Sequence, residues 1–528
     1  MDLDRTWRPV FVRTLVKILA LSVALLPLAG SYGQEFRLSA DSSLEAAEQA
    51  ADSSLDATDS SLDAAEGFVL APEGPAETLT ERQFSASTLA GIYELALEND
   101  QSIAQSRAIY LAGWEERNLA RAGLLPNIQG GASYQLFFSE ARGQFPAGST
   151  LLPNSRDSDG DTFEYNASLV QPLLDLPAWF RFKRGVNLSK QAEATFYVAQ
   201  TELLMRSVTT YFEVLRAIAN VNASKAQESA LAAQLNQVQQ RFDVGLVAVT
   251  DVHEAQAAYD LSVAQRITDE GALGVRQEEM SVLSGVPYSD LWLLKTDFPV
   301  VDPDPVDSSS WVAYASENNL EIRAAELSHA ASRSELKAAR AEHLPQIDLA
   351  LNFSDSNSDI TQEDLLTDIE ADFPNDQRQG SAAIRLTVPI YSGGFISASR
   401  RQAAARADSE AAGYKGTVRR ITQEVRGAFI RVRSDVARTR ARQQAVISNR
   451  SALDATEAGY DVGIRNVVDV LAAQQAYFSA IRDFENSNVD YVISLMDLKR
   501  LAGTLTPEDI YELNGWLEQQ SSISVLGN

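Results

Sequence analysis

The sequence predicts a mixed α and β membrane protein made by running one plan twice. Three observations carry that reading. A stretch at 243–259 returns 218 residues later at 461–477, with 10 of 17 positions identical and both copies ending in tyrosine (Tyr259, Tyr477). Two uninterrupted helical patterns, about 177–243 and 395–461, precede the two copies. Two segments per half of the chain switch to an alternation of period two, the mark of strands with one apolar face.

The start has the layout of a secretory signal: Arg5, Arg8, Arg13 and Lys17, then an apolar run over 18–28, then small residues at Ser31 and Gly33, with cleavage expected before Gln34. Residues 34–83 repeat Asp-Ser-Ser-Leu three times and hold 12 acidic against 2 basic residues, a composition suited to a solvated spacer. The duplicated region follows, with repeats expected over 84–300 and 301–515 and a short tail over 516–528.

Each repeat opens with a helical pattern, 87–124 and 308–344, stopped by Pro126 and Pro345. Strand hairpins come next. Ile128, Tyr134, Leu136 and Phe138 alternate with small or polar residues, as do Phe163, Tyr165 and Leu169; the second repeat offers Ile347, Leu349, Leu351 and Phe353, then Ile384, Leu386, Val388 and Ile390. Strands of about ten residues with one apolar face suit a membrane barrel; the expected connections are long polar loops near 140–161 and 355–380. A soluble two-sided sheet would show the same periodicity. Trp179, Phe180 and Phe182, interleaved with Arg181, Lys183 and Arg184, suit a membrane–water boundary.

The long helices carry apolar residues at steps of four and three: Leu204, Val208, Tyr211, Leu215 and Ile218, then Leu231, Leu235, Val238 and Phe242, and in the second repeat Val418, Ile421, Val425, Ala428 and Val432. A mean step of 3.5 residues predicts left-handed coiled-coil packing. Return helices are expected over 251–285 and 469–503. At the turns, Gly245 and Gly463 stand where a helix ends in a left-handed residue, and Asp251 and Asp469 are candidate N-caps. Asp251 and Glu254 also have capping-box spacing. Four strands cannot close a membrane barrel, since the smallest use eight, so membrane-spanning strands require several copies; three would give twelve strands.

Composition narrows the function. The balance of 45 basic and 72 acidic residues, a formal −27, opposes nucleic-acid binding. The chain has no cysteine, and His253, His329 and His343 lack metal-ligand spacing. No nucleotide loop or nucleophile–base pair is present, so neither an enzyme nor a cofactor is expected. A structural or adhesive coiled-coil protein of the cell envelope is the rival to a channel.

The run from Gln240 to Val252, its partner from Glu457 to Gly463 continuing through Arg465 to Asp469, and the link from Pro389 to Gly394 resemble the TolC family of outer-membrane efflux and secretion ducts. The resemblance spans about 86–515. It implies a homotrimer whose twelve-stranded outer-membrane β-barrel, four strands per protomer, continues into a long periplasmic α-helical coiled-coil barrel. It implies a passive, gated exit duct of a tripartite efflux pump or type I secretion system, with a periplasmic adaptor, an inner-membrane pump or ABC transporter, and outer-membrane lipid as partners. The family's gate network falls on Thr250, Asp251, Tyr460 and Arg465, with an Arg465–Asp251 tie expected between hairpins. Asp469 falls on the pore constriction, where Ala472 replaces the family's second acidic ring. The tip turns, Gly245 with Leu246 and Gly463 with Ile464, fall where the adaptor docks.

Overall fold

The computed structural model describes residues 87–147, 150–287, 290–295, 297–364 and 369–519. The expected signal peptide, the acidic spacer and residues 520–528 of the tail lie outside them.

The expected opening helix is three: α1 (Leu89–Asn99), α2 (Gln101–Trp114) and α3 (Glu116–Ala122). Its counterpart is α6 (Ser308–Asn318) and α7 (Leu320–Ala341). Both runs break at a side-chain cap that also reaches a neighbouring helix. Asp100 accepts from the Ile103 N–H at 2.9 Å and from Arg206 at 2.9 Å. Asn319 accepts from the Ile322 N–H at 3.1 Å and donates to the Leu501 carbonyl at 2.9 Å. The helical periodicity continues across each break, which is why the pattern alone conceals it. Burial opposes ionisation of Asp100, but the Arg206 hydrogen bond, with the Ile103 N–H, holds its carboxyl below the usual carboxylate value.

The strands are β1 (Asn127–Ala147), β2 (Thr150–Leu174), β4 (Gln346–Asp364) and β5 (Ile369–Thr387), in one antiparallel sheet of order β1-β2-β4-β5. They run 21, 25, 19 and 19 residues, about twice the span a tilted membrane strand needs. The polar stretches expected as loops are therefore mostly strand. Their Ser, Asp and Asn content reads as loop, yet unbroken cross-strand pairing satisfies their backbone groups from Asn127↔Val170 out to Ala147↔Thr150. Pairing also aligns the apolar faces: Ile128, Leu169, Leu351 and Ala382 form one row across all four strands. Ile128, Leu136 and Phe138 on this face are 65%, 71% and 91% exposed.

Long helices α4 (Leu176–Asp243) and α8 (Phe395–Asp461), of 68 and 67 residues, match expectation within a residue or two; at 1.5 Å per residue each is about 100 Å long. Asp175 caps α4 through the Ala178 N–H at 2.8 Å. Return helices α5 (Val249–Ser284) and α9 (Val467–Ala502) close the hairpins. α4 packs on α5, α7 and α9, and α8 on α7 and α9. The heptad positions Leu204, Val208, Tyr211, Ile421, Val425, Ala428 and Val432 lie in the main core with Tyr491 and Met496 of α9. Phe242, the last of the expected stripe, is 37% exposed.

Halfway along the hairpins, β3 (Leu293–Leu294) pairs with β6 (Leu517–Glu518), following α10 (Pro507–Asn514). Gly285 and Gly503 end α5 and α9 at φ +72° and +71°. A Cβ on Gly285 would stand 2.7 Å from Asn99, and one on Gly503 2.6 Å from the Asn318 backbone. Each return helix thus ends pressed on the helix break of its own repeat. No described helix is long and apolar enough to cross a membrane.

Candidate functional site at the hairpin tips

Both tips are Schellman turns. Gly245 N–H donates to Phe242 O at 2.8 Å and Leu246 N–H to Arg241 O at 2.9 Å; Gly463 N–H donates to Tyr460 O at 3.1 Å and Ile464 N–H to Gly459 O at 2.9 Å. Gly245 and Gly463 have φ of +79° and +80° with open space around them, so glycine is there for its backbone freedom. The turns leave apolar side chains in solvent: Leu246 and Ile464 are 73% and 79% exposed, with Val244 and Val462 beside them.

The expected N-caps move by three residues. α9 begins at Val467, and Asn466 is its cap: the Asn466 side chain accepts from the Asp469 N–H at 2.8 Å, and the Asp469 carboxylate accepts from the Asn466 N–H at 3.5 Å, a capping box. In α5, Ala248 holds the cap position without a side-chain bond, and Asp251 lies in the first turn. Both aspartates therefore act on the helix dipole from inside the helix. Val467 explains the early start of α9, since burial at 1% exposure draws the first turn against the other hairpin. Glu254, three residues beyond Asp251, completes no capping box.

Arg465 does not reach Asp251 within the chain. Its guanidinium stands 3.7 Å from Asp469, in the first turn of the helix that follows it. Its stem lies against Gly459, where a Cβ would come within 2.9 Å of Arg465 Cγ, and its N–H donates to Gly459 O at 3.2 Å. Those backbone contacts aim the side chain along α9. Asp251 accepts instead from the Thr250 hydroxyl at 3.4 Å.

The tie between hairpins is made by Arg241, which sequence reasoning did not single out. Its guanidinium bonds Asp461 at 2.9 Å and sits over the Tyr460 ring, 4.5 Å from the centroid. Tyr460 is 7% exposed and packs with Val238, Ala255, Val467 and Val470, joining α4, α5, α8 and α9. Its hydroxyl is buried with no hydrogen-bond partner among the described residues. The repeat held the signal: Arg241 corresponds to Gly459, a difference as sharp as Phe242 against Tyr460. Arg241 also offsets an unfavourable acid, since Asp461 ends α8 at the negative pole of its dipole.

At the other end of the long helices, Trp179 and Phe182 are 5.8 Å apart, with Lys183 over the Trp179 ring at 5.3 Å and Phe180 half-buried beside them. The second repeat matches this cluster with Ile390, Tyr391 and Phe395, which are 95%, 86% and 69% exposed. Those residues lie around the Gly393–Gly394 turn.

Comparison with known proteins fits this duplicated architecture. The family model described as outer membrane efflux protein matches 92–286 and 311–504, one match per repeat. The outer membrane protein TolC of Vibrio cholerae is 33% identical over 438 residues, covering 82% of this chain and 94% of that one. The alkaline protease secretion protein AprF of Pseudomonas aeruginosa is 30% identical over 441 residues, covering 82% and 87%. The crystal structure of the Campylobacter jejuni CmeC outer membrane channel shares the fold at a TM-score of 0.63 and 18% identity, covering 85% of this chain and 95% of that one. The chain belongs to the outer membrane efflux protein family and is an outer-membrane channel protein of the kind that serves efflux and secretion.

Proposed function

We propose that three copies close a twelve-stranded barrel in the outer membrane, and that their hairpins form a helical duct gated at the tips. The single observation carrying this is the sheet. It is four strands wide, β1 and β5 are unpaired edges, and its aligned apolar face is exposed. Open edges are tolerated neither in a membrane nor in water, and an exposed apolar face is stable against lipid but not in water. Edge pairing between copies removes the edges and the outer membrane covers the face, and three copies match the helical hairpins, two per protomer, in a ring of twelve columns.

In this reading the duct is passive and performs no chemistry. The apolar tips, Leu246 and Ile464 with their neighbouring valines, receive a periplasmic adaptor, which brings an inner-membrane pump or ABC transporter. Arg241 holds the second hairpin, through Asp461 and Tyr460, against the first. Thr250, Asp251 and Arg465 border this contact, and Asp469 presents the acid at the constriction. A partner opens the tips by binding the separated hairpins more strongly than the joined ones. Trp179, Phe180 and Phe182 mark the inner face of the membrane. Since relatives include both a TolC and a protease secretion protein, small molecules and polypeptides are both candidate cargo. The test is the mass of the detergent-extracted complex with outer-membrane fractionation: three chains per particle in the outer-membrane fraction support the reading, and a soluble periplasmic trimer refutes it in favour of the envelope coiled-coil rival.

A further inference from the structure

One row of the sheet breaks the chemistry of its face. The face opposite the apolar band is the more covered one in the central strands and would line the lumen. Its rows read Ser133–Glu164–Ser356–Gln377, then Gln135–Thr162–Ser358–Asn375, then, beyond one row, Ser139–Ser158–Gln362–Ala371. The intervening row is Phe137–Gly160–Ile360–Phe373. Three large apolar side chains thus interrupt a polar face.

Gly160 belongs to this feature. A Cβ there would lie 2.3 Å from the Asp359 carbonyl oxygen and 3.0 Å from Ile360 Cα, so β2 and β4 approach closely where the row crosses them. Phe137 is half-buried among exposed neighbours on β1, Gly160 and Ile360 are half-buried like most of their neighbours on β2 and β4, and Phe373, on edge strand β5, is 50% exposed. Charge is sorted to match. Most acids of this outer stretch, among them Asp157, Asp159, Asp161, Asp359, Asp372 and Asp376, occupy the alternate positions and so face away from the lumen, while Glu164 stands on the lumen face two rows inside the arc.

We propose that Phe137, Ile360 and Phe373 form an apolar constriction near the outer mouth of the lumen, which holds back hydrated ions and lets cargo of low polarity slide across it. The inference rests on the trimeric channel reading. Each protomer supplies one arc, and three arcs put six phenylalanines and three isoleucines around the exit. A ring without charge or hydrogen-bonding groups raises the cost of wetting the narrow point, while an apolar solute loses nothing there. The acids on the outward face keep the protruding sheet soluble, and the arc itself carries no charge.

The absence of native cysteine makes reporter residues specific. Ser158→Cys places a thiol outside the arc and Ser356→Cys one inside it, both on the lumen face. A charged, membrane-impermeant maleimide is added to the outer side of proteoliposomes holding the full trimer, a direction of entry that does not depend on the tips. The Ser356→Cys reporter should react about tenfold more slowly than Ser158→Cys. Adding Phe137→Ser, Ile360→Ser and Phe373→Ser should abolish the difference, whereas Phe137→Leu with Phe373→Leu should preserve it. Equal rates in the otherwise native chain, or a difference that survives the serine variant, overturn the constriction. A chain that migrates as a monomer, or a Ser158→Cys reporter that never reacts from outside, refutes the channel topology itself and is told apart by that result.

Discussion

Arg241 of the first hairpin lies flat over Tyr460 of the second, 4.5 Å from the ring centroid, and bonds the adjoining Asp461 at 2.9 Å. The ring beneath the guanidinium is the lid of the apolar knot at the tips. A partly exposed ion pair contributes up to about 1 kcal/mol, and an exposed cation–π contact about 0.5–1 kcal/mol. In the proposed trimer, three such contacts would bias the tips toward closure while leaving them open to a binding partner.

Tyr460 should act through its ring and not its hydroxyl. The hydroxyl is buried without a partner, so Tyr460→Phe removes an unsatisfied polar group and should leave single-channel conductance unchanged with stability equal or higher. Tyr460→Ala empties the knot and should cost about 3–5 kcal/mol. Planar-bilayer recordings and thermal melts of the two variants check this; a conductance rise in Tyr460→Phe would show that the hydroxyl bonds across protomers.

The left-handed glycines that end the hairpin helices, Gly245, Gly285, Gly463 and Gly503, should separate into two classes. Gly463→Ala meets open space and strains only the backbone, a cost of about 1 kcal/mol. Gly503→Ala adds a collision with the Asn318 backbone at 2.6 Å, where overpacking costs a further ~1–3 kcal/mol. Melting temperatures should fall further for Gly503→Ala, and the reverse order would deny that the return helices are pressed on the helix breaks.

The repeat, the element order and the ends of the long helices were legible in the sequence because each rests on local chemistry: glycine at a reversal, proline after a helix, apolar residues every 3.5 positions. What was not legible depends on distant partners. Asp100 and Asn319 break helices because Arg206 and the Leu501 carbonyl wait across the interface. Ser- and Asp-rich strands look like loops until a paired strand supplies their hydrogen bonds. Arg465 was assigned to Asp251 from its charge, but the contact of its stem with Gly459 directs it to Asp469.

Asp100 should make stability depend on pH at the acid end. Its folded pKa lies below the ordinary value, so its contribution is present above about pH 4 and is lost as pH falls through the lower folded value. Asp100→Asn removes the charge that Arg206 needs. The Tm difference from the native chain should be full near neutrality and shrink as pH falls below the ordinary carboxylate value; a difference that never shrinks on acidification would contradict the ion pair.

Asp469 caps α9 with Asn466 and, in the proposed duct, also supplies the acid at the constriction. Asp469→Asn keeps a side-chain acceptor for the Asn466 N–H but removes the charge, whereas Asp469→Ala removes both and should cost about 1 kcal/mol of helix stability. Reversal potentials under a salt gradient should show reduced cation preference in both variants. Unchanged selectivity in both would leave Asp469 with its capping role alone.

The most direct test is the single-channel conductance of Arg241→Ala in planar bilayers, set beside Arg465→Ala. Arg241→Ala loses the bond to Asp461 and the cover over Tyr460, so the tips should relax open and conductance should rise. Arg465→Ala breaks only a local contact between the tip turn and the first turn of α9 and should change conductance less. Native conductance in Arg241→Ala, with a rise in Arg465→Ala, would contradict the placing of the tie on Arg241.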